Sequence, residues 1–171
     1  MRYGAVDVYY PPDGGARAAL LVAADSAFAR VVDERVAWLA RVAPYEPGSF
    51  FRRELPATRM VLDGVEDLDL LIVDGYVDLD PAGRPGLGAR LHDEIGVPVI
   101  GVAKTAFRSA THACAVYRGV ATRPLYVTAA GLTREQAAEL VAAMAGPHRL
   151  PDALRRVDRL SRGFDRRAAV G

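Results

Sequence analysis

Lysine is almost absent from this 171-residue chain: of its 22 lysine and arginine residues, only Lys104 is a lysine. Cysteine is as scarce, with Cys114 alone, and the three histidines, His92, His112 and His148, are scattered. One thiol forms no internal disulfide, and no charged leader followed by a long apolar stretch opens the sequence, so the expected compartment is a reducing cytoplasm. His112 and Cys114 without further partners make a poor metal site and read as packing residues. No apolar run approaches the ~18 residues that a membrane-crossing helix needs, which argues against insertion. Excess charge is missing too: the net charge is +1, too small for a bulk field that would draw the chain to nucleic acid. Any such contact must be local. Positive charge gathers at Arg41, Arg52, Arg53 and Arg59, and again from Arg149 to Arg167. The second group alternates with Asp152, Asp158 and Asp165, a pattern that fits a solvated helix face with ion pairs better than a phosphate-binding surface.

What is present suits one globular domain spanning residues 1–171, with 51% hydrophobic and 25% charged residues, long enough to bury a core without disulfides. Gly4 to Tyr10 has strand composition and stops at the turn Pro11-Pro12-Asp13-Gly14-Gly15. Ala16 to Ala24 reads as a buried strand and Ala27 to Arg41 as a partly alternating one. Ser49 to Leu62 has helical spacing, with Pro56 confined to its first turns or kinking it. Leu68 to Asp74 is a short apolar strand, Pro85 to Ile95 a helix, and Val97 to Val102 a further buried strand. Ala113 to Tyr117 and Leu125 to Thr128 are brief strand candidates; Thr133 starts a helix, and a last one covers Asp152 to Ser161, with the tail beyond Gly163 frayed. Three early strands followed by alternating strands and helices predict an α/β fold, a mixed central sheet with helices against its faces.

Three carboxylates stand out on this framework: Asp7 in the first strand, Glu54 near a helix start and Asp74 closing the strand Leu68 to Asp74. If the first and fourth strands are neighbours, Asp7 and Asp74 lie side by side, and a crossing helix can lower Glu54 into the same space. Like charges so placed repel and would protonate unless a cation neutralises them. A hard divalent cation with oxygen ligands fits, Mg²⁺ best and Mn²⁺ as a substitute. Such a site suits phosphodiester hydrolysis. Lys104, in the turn Gly101-Val102-Ala103-Lys104, is either a chance survivor in an arginine-rich chain or a compact charge meeting a small anion that a flat guanidinium would not suit.

The stretch Pro44-Tyr45-Glu46-Pro47-Gly48-Ser49-Phe50-Phe51-Arg52-Arg53-Glu54 resembles the signature of the endonuclease V family, nucleases that cut near deoxyinosine or inosine and have a ribonuclease H-like fold. Further matches follow in the family's order: Val6-Asp7-Val8, Val73-Asp74-Gly75 and Ile100-Gly101-Val102-Ala103-Lys104-Thr105. The resemblance implies a mixed sheet of three antiparallel strands followed by parallel ones, and a Mg²⁺-dependent endonuclease with nucleic acid, DNA before RNA, as its partner. It implies Asp7, Glu54 and Asp74 as metal ligands and catalytic acids, with Lys104 assisting at the phosphate. Pro44, Tyr45, Glu46, Pro47 and Gly48 would form a wedge that separates strands beside a lesion. The extruded base would sit near Gly48 and Gly75, where glycine lets main chain approach. Arg53 would hold an acid or a phosphate.

The chain departs from the family pattern in three places. Val77 and Asp80 stand where a second glycine and a histidine are usual, so a tight base pocket is expected to be obstructed. Thr128-Ala129-Ala130-Gly131-Leu132 faces a late motif that usually carries histidine and arginine. Two alternatives to the nuclease therefore stay open: a nucleic-acid-binding protein with weakened turnover on the same fold, and a related nuclease with another substrate preference.

Overall fold

The computed structural model describes residues 1–47, 49 and 51–163. β1 (Tyr3–Tyr9) turns at the proline-glycine segment into β2 (Ala16–Ala23), which pairs with β3 (Val31–Leu39). The expected third strand starts four residues late. The Asp25 carboxylate accepts from Ala29 N–H at 3.1 Å and Arg30 N–H at 2.8 Å, a side-chain turn that competes with the ladder.

α1 (Phe51–Leu62) follows, with Pro56 inside it, and Thr58 Oγ1 donates to the Glu54 carbonyl at 2.8 Å. Then come β4 (Leu70–Asp74), α2 (Leu87–Ile95), β5 (Val99–Ala103), β6 (Cys114–Val116), β7 (Leu125–Ala130), α3 (Arg134–Ala143) and α4 (Asp152–Ser161). α3 begins where a reciprocal cap forms, Thr133 accepting from Gln136 N–H while the Gln136 side chain accepts from Thr133 N–H.

The seven strands form one sheet in the order β3-β2-β1-β4-β5-β7-β6. β1, β2 and β3 are antiparallel, β1, β4 and β5 run parallel, and β7 and β6 add a second antiparallel stretch at the far side. Strand residues alternate between two apolar layers. Val6, Leu20, Val22, Leu71 and Val73 meet Leu55 and Val61 of α1 and Leu91 of α2. Ala5, Leu21, Ile72, Ile100 and Val127 meet Val141 of α3 and Leu154 and Val157 of α4. Burial on both faces explains why β2, β4 and β5 read as nearly continuous apolar runs. Among the described residues no helix is long and apolar enough to cross a membrane.

Candidate active site

β1 and β4 pair in register from Tyr3 opposite Leu70 to Val6 opposite Val73, so the next residues, Asp7 and Asp74, stand side by side at the carboxyl ends of neighbouring parallel strands. β5 runs beside β4 in the same direction, and Lys104 follows directly on Ala103 at that end. Lys104 Nζ lies 3.2 Å from Asp74 Oδ2. Strand parity turns Asp7 and Asp74 to the α4 side, where they share a small cleft with Lys104, Leu150, Leu154 and Val157. Glu54, in the first turn of α1, arrives from the opposite face. The carboxylates approach around the strand ends without closing into a cage: among the described residues no three His, Cys, Asp or Glu side chains form a ready-made metal site.

Electrostatics shows that they nonetheless share one space. Burial, then the charge of Asp74, pushes Asp7 from an ordinary 3.8 to about 7, against Lys104 and the Val8 N–H that its Oδ1 accepts at 2.9 Å. Burial, then the charges of Asp74 and Asp7, pushes Glu54 from 4.5 to about 8, with Arg53 opposing. Burial is the largest single influence on Lys104 and acts downward, yet Asp74 and Asp7 outweigh it and leave the ammonium raised. Acids that are half-buried, as Asp7 and Glu54 are, or exposed beside them, as Asp74 is, and that repel each other without enough cationic partners suit an added positive charge. Their oxygen donors match a hard divalent cation that takes one or two carboxylates and fills its remaining positions with water or phosphate. The residues present therefore fit such an ion.

A family model for endonuclease V matches residues 2–119. The chain belongs to the endonuclease V family. The endonuclease V of Streptomyces coelicolor is 34% identical over 192 residues, covering 98% of this chain and 81% of that protein. The crystal structure of the Streptomyces avermitilis endonuclease V superposes with a TM-score of 0.78 at 28% identity, covering 99% of this chain and 83% of that one. A Ciona intestinalis endonuclease V, solved with a 24mer DNA containing an inosine followed by a ribo-adenosine, superposes with a TM-score of 0.81 at 18% identity, over 95% of this chain and 84% of that one. The endonuclease V structures share a ribonuclease H-like fold, and this sheet has its order of antiparallel then parallel strands.

In this endonuclease V family member the segment Pro44 to Pro47 precedes α1 as irregular chain, with Tyr45 55% exposed. Glu46 ties it to the helix: its carbonyl accepts from Ser49 N–H at 3.0 Å, and its carboxylate lies 3.4 Å from Arg52 Nη1. Gly48 lies outside the described residues. Arg53 stacks on the Tyr10 ring at 4.1 Å and is electrostatically coupled to Glu54. Gly75 turns the chain after Asp74 with φ 113° and donates its N–H to the Val102 carbonyl at 3.0 Å.

Val77 faces the interior of the protein. It is fully buried in the α1/α2 layer, where a Cβ on Gly88 would meet its Cγ2 at 2.7 Å, so the bulk gained at one position is accommodated by its absence at the other. The late segment also has a structural role. Thr128 Oγ1 accepts from Val77 N–H at 2.8 Å, and only a glycine at 101 lets this turn lie on β5, because a Cβ there would sit 2.6 Å from the Gly75 carbonyl oxygen.

Sequence reasoning passed over Asp158. It sits on α4, where its charge acts on both Asp7 and Lys104, although it also pairs with Arg162 at 3.0 Å. The i,i+4 spacing to Arg162 is what made it read as part of a solvated face; the signal for it was the apolar set Ala153, Leu154 and Val157, which fixes the orientation of the helix. Arg149, counted in the same basic group, donates instead to the carbonyls of Lys104, Arg123 and Pro124 and so anchors the main chain that carries the lysine.

Proposed function

We propose that the chain is a divalent-cation-dependent endonuclease that hydrolyses a phosphodiester bond in nucleic acid, DNA rather than RNA, close to deoxyinosine. The carrying observation is the approach of Asp7, Glu54 and Asp74 with Lys104 at the ends of four elements, β1, α1, β4 and β5, with two of the acids raised by burial and by one another. Asp7, Glu54 and Asp74 would hold Mg²⁺, for which Mn²⁺ can substitute. When bound, the ion supplies Lewis acidity toward a phosphodiester oxygen and acidifies water.

The chain's own residues do the rest. Asp158 adds negative charge at the rim, and the low-dielectric floor of Leu154 and Val157 strengthens every charge contact in the cleft. Lys104, now on Asp74, offers a compact charge to the scissile phosphate. Arg53, braced on Tyr10, orients Glu54. The segment Pro44, Tyr45, Glu46, Pro47 and Gly48 acts as the wedge, its prolines stiffening the turn while Tyr45 offsets the few kcal/mol of unstacking a base. Gly75 permits main chain to approach the extruded base.

The test is incubation of the chain with Mg²⁺ and a duplex oligonucleotide carrying one deoxyinosine. Nicking by the parent chain, lost in Asp74→Ala, is expected; no nicking by the parent, or undiminished nicking by the variant, overturns the proposal. A second reading, a related nuclease with another base preference, is favoured by Asp80, whose carboxylate accepts from Arg84 N–H at 3.1 Å in the loop after Gly75. It predicts faster cleavage of mismatched or branched substrates than of the deoxyinosine duplex.

A further inference from the structure

β3 stands at the end of the sheet, and among the described residues nothing pairs with its outer side. Nine residues is long for such an edge. Natural edges are commonly blunted by charged side chains, lysine above all, by proline or by a bulge. β3 has neither lysine nor proline, its one irregularity lies at its Val31 end, and its charges, Asp33, Glu34 and Arg35, are of both signs and adjacent, so a second strand can pair them. The face it turns to the α4 side is apolar and open, with Val32 and Val36 each 53% exposed and Trp38 47% exposed. That face continues into a groove between β3 and α4 floored by Val31, Val36 and Leu160.

We infer that two copies of this chain pair through β3, antiparallel about a two-fold axis at Glu34, into one continuous sheet. Charge selects the register. Opposed residues of two such strands must share a face, so the axis passes through a residue and only alternate registers compete. An axis at Asp33 opposes two aspartates and one at Arg35 two guanidiniums, and neither sets opposite charges across the seam to offset like charges placed directly opposite.

The axis at Glu34 sets Asp33 of each copy against Arg35 of the other. Within one chain Asp33 and Arg35 already lie 3.0 Å apart, so the four side chains close a ring of alternating charge. The two Glu34 carboxylates that meet at the axis are each paired with Arg156 of their own α4. On the same face the exposed Val32 packs against the exposed Val36 of the second copy, twice. The two-fold stands perpendicular to the sheet, which sends the carboxyl ends of the two β1 strands in opposite directions and keeps the acidic clefts apart.

Sedimentation velocity of the full chain across a concentration series tests this. A species of twice the 18.4 kDa chain mass is expected. Asp33→Arg should convert it to monomer and Asp33→Arg/Arg35→Asp should restore it. In a Cys114→Ser background, Glu34→Cys should form a covalent dimer on oxidation, whereas Val120→Cys, more exposed but remote, should not. A wild-type chain that sediments as 18.4 kDa at every concentration overturns the inference. A dimer that Asp33→Arg leaves intact, or one that Glu34→Cys fails to cross-link, places the contact elsewhere and overturns it equally.

Discussion

Replacing Glu54 by glutamine removes one of two acids that the fold holds far above their ordinary range. In the cation-free protein Asp7 rises from 3.8 to about 7 and Glu54 from 4.5 to about 8. A raised value means that the folded state holds the proton more tightly than the unfolded chain does. The associated stability is therefore complete below about pH 4 and is lost as pH climbs through 7 and 8. Taken singly, the displacements correspond to about 4 and about 5 kcal/mol. The two share their mutual repulsion, so together they contribute less than the sum. Glu54→Gln deletes its own share and part of that of Asp7, and should leave the chain roughly 2 to 4 kcal/mol more stable than wild type at pH 8.5 in chelator. For a chain of this length that is about 4 to 16 °C in Tm. The assay is thermal unfolding from pH 5 to 9 in chelator, repeated with Mg²⁺. Wild type should lose Tm up to about pH 8 and level off above it, and the variant should stay flatter. Saturating Mg²⁺ should restore wild type at pH 8.5 far more than at pH 5, because its ligands must be deprotonated. Parallel curves for the two proteins, or a wild-type Tm that does not fall, would refute the reasoning.

Other consequences are as specific. Lys104→Arg should cut nicking by at least about tenfold while leaving Tm nearly unchanged, because the guanidinium keeps the charge but not its compactness; equal rates in single-turnover assays would contradict this. Tyr45→Ala should slow cleavage of duplex more than of single-stranded substrate, since only the duplex needs a base unstacked; equal slowing would remove the wedge. Gly101→Ala should cost about 3 kcal/mol or more in urea unfolding, because its Cβ would collide with the Gly75 carbonyl oxygen and Thr128 Oγ1. Arg118→Ala should cost a similar amount, because its buried guanidinium donates to the carbonyls of Met144, Gly146 and His148 in the turn that leads to α4. A midpoint unchanged by either substitution would show that the turn is held another way.

Asp7 and Asp74 were legible because each closes or punctuates a run of strand residues, and parallel neighbours at the sheet centre bring such ends together. Glu54 was legible through its motif and its place in a first helical turn. The last helix was read to its full extent, yet its role was not. Periodicity assigns Asp158 to a helix with Arg162 in pairing distance but does not say what the flank beside Leu154 and Val157 faces. The packing of Val77 was hidden for a related reason: its fit depends on Gly88, eleven positions away, and that contact is visible only when both residues are placed. The late start of β3 came from the Asp25 side chain taking two main-chain N–H groups, a local bond that competes with strand composition. Arg149 looked like surface charge, and its real partners are main-chain carbonyls, which carry no sequence signal.

The central claim is that Asp7, Glu54 and Asp74 share a divalent cation. Anomalous diffraction from crystals of the chain grown with Mn²⁺ tests it most directly. A peak within ligating distance of Asp7 and Asp74 and on the side that Glu54 approaches, absent from Asp74→Ala crystals, is the predicted result. Manganese bound only at the surface, with the three carboxylates still turned to protein partners alone, would contradict it.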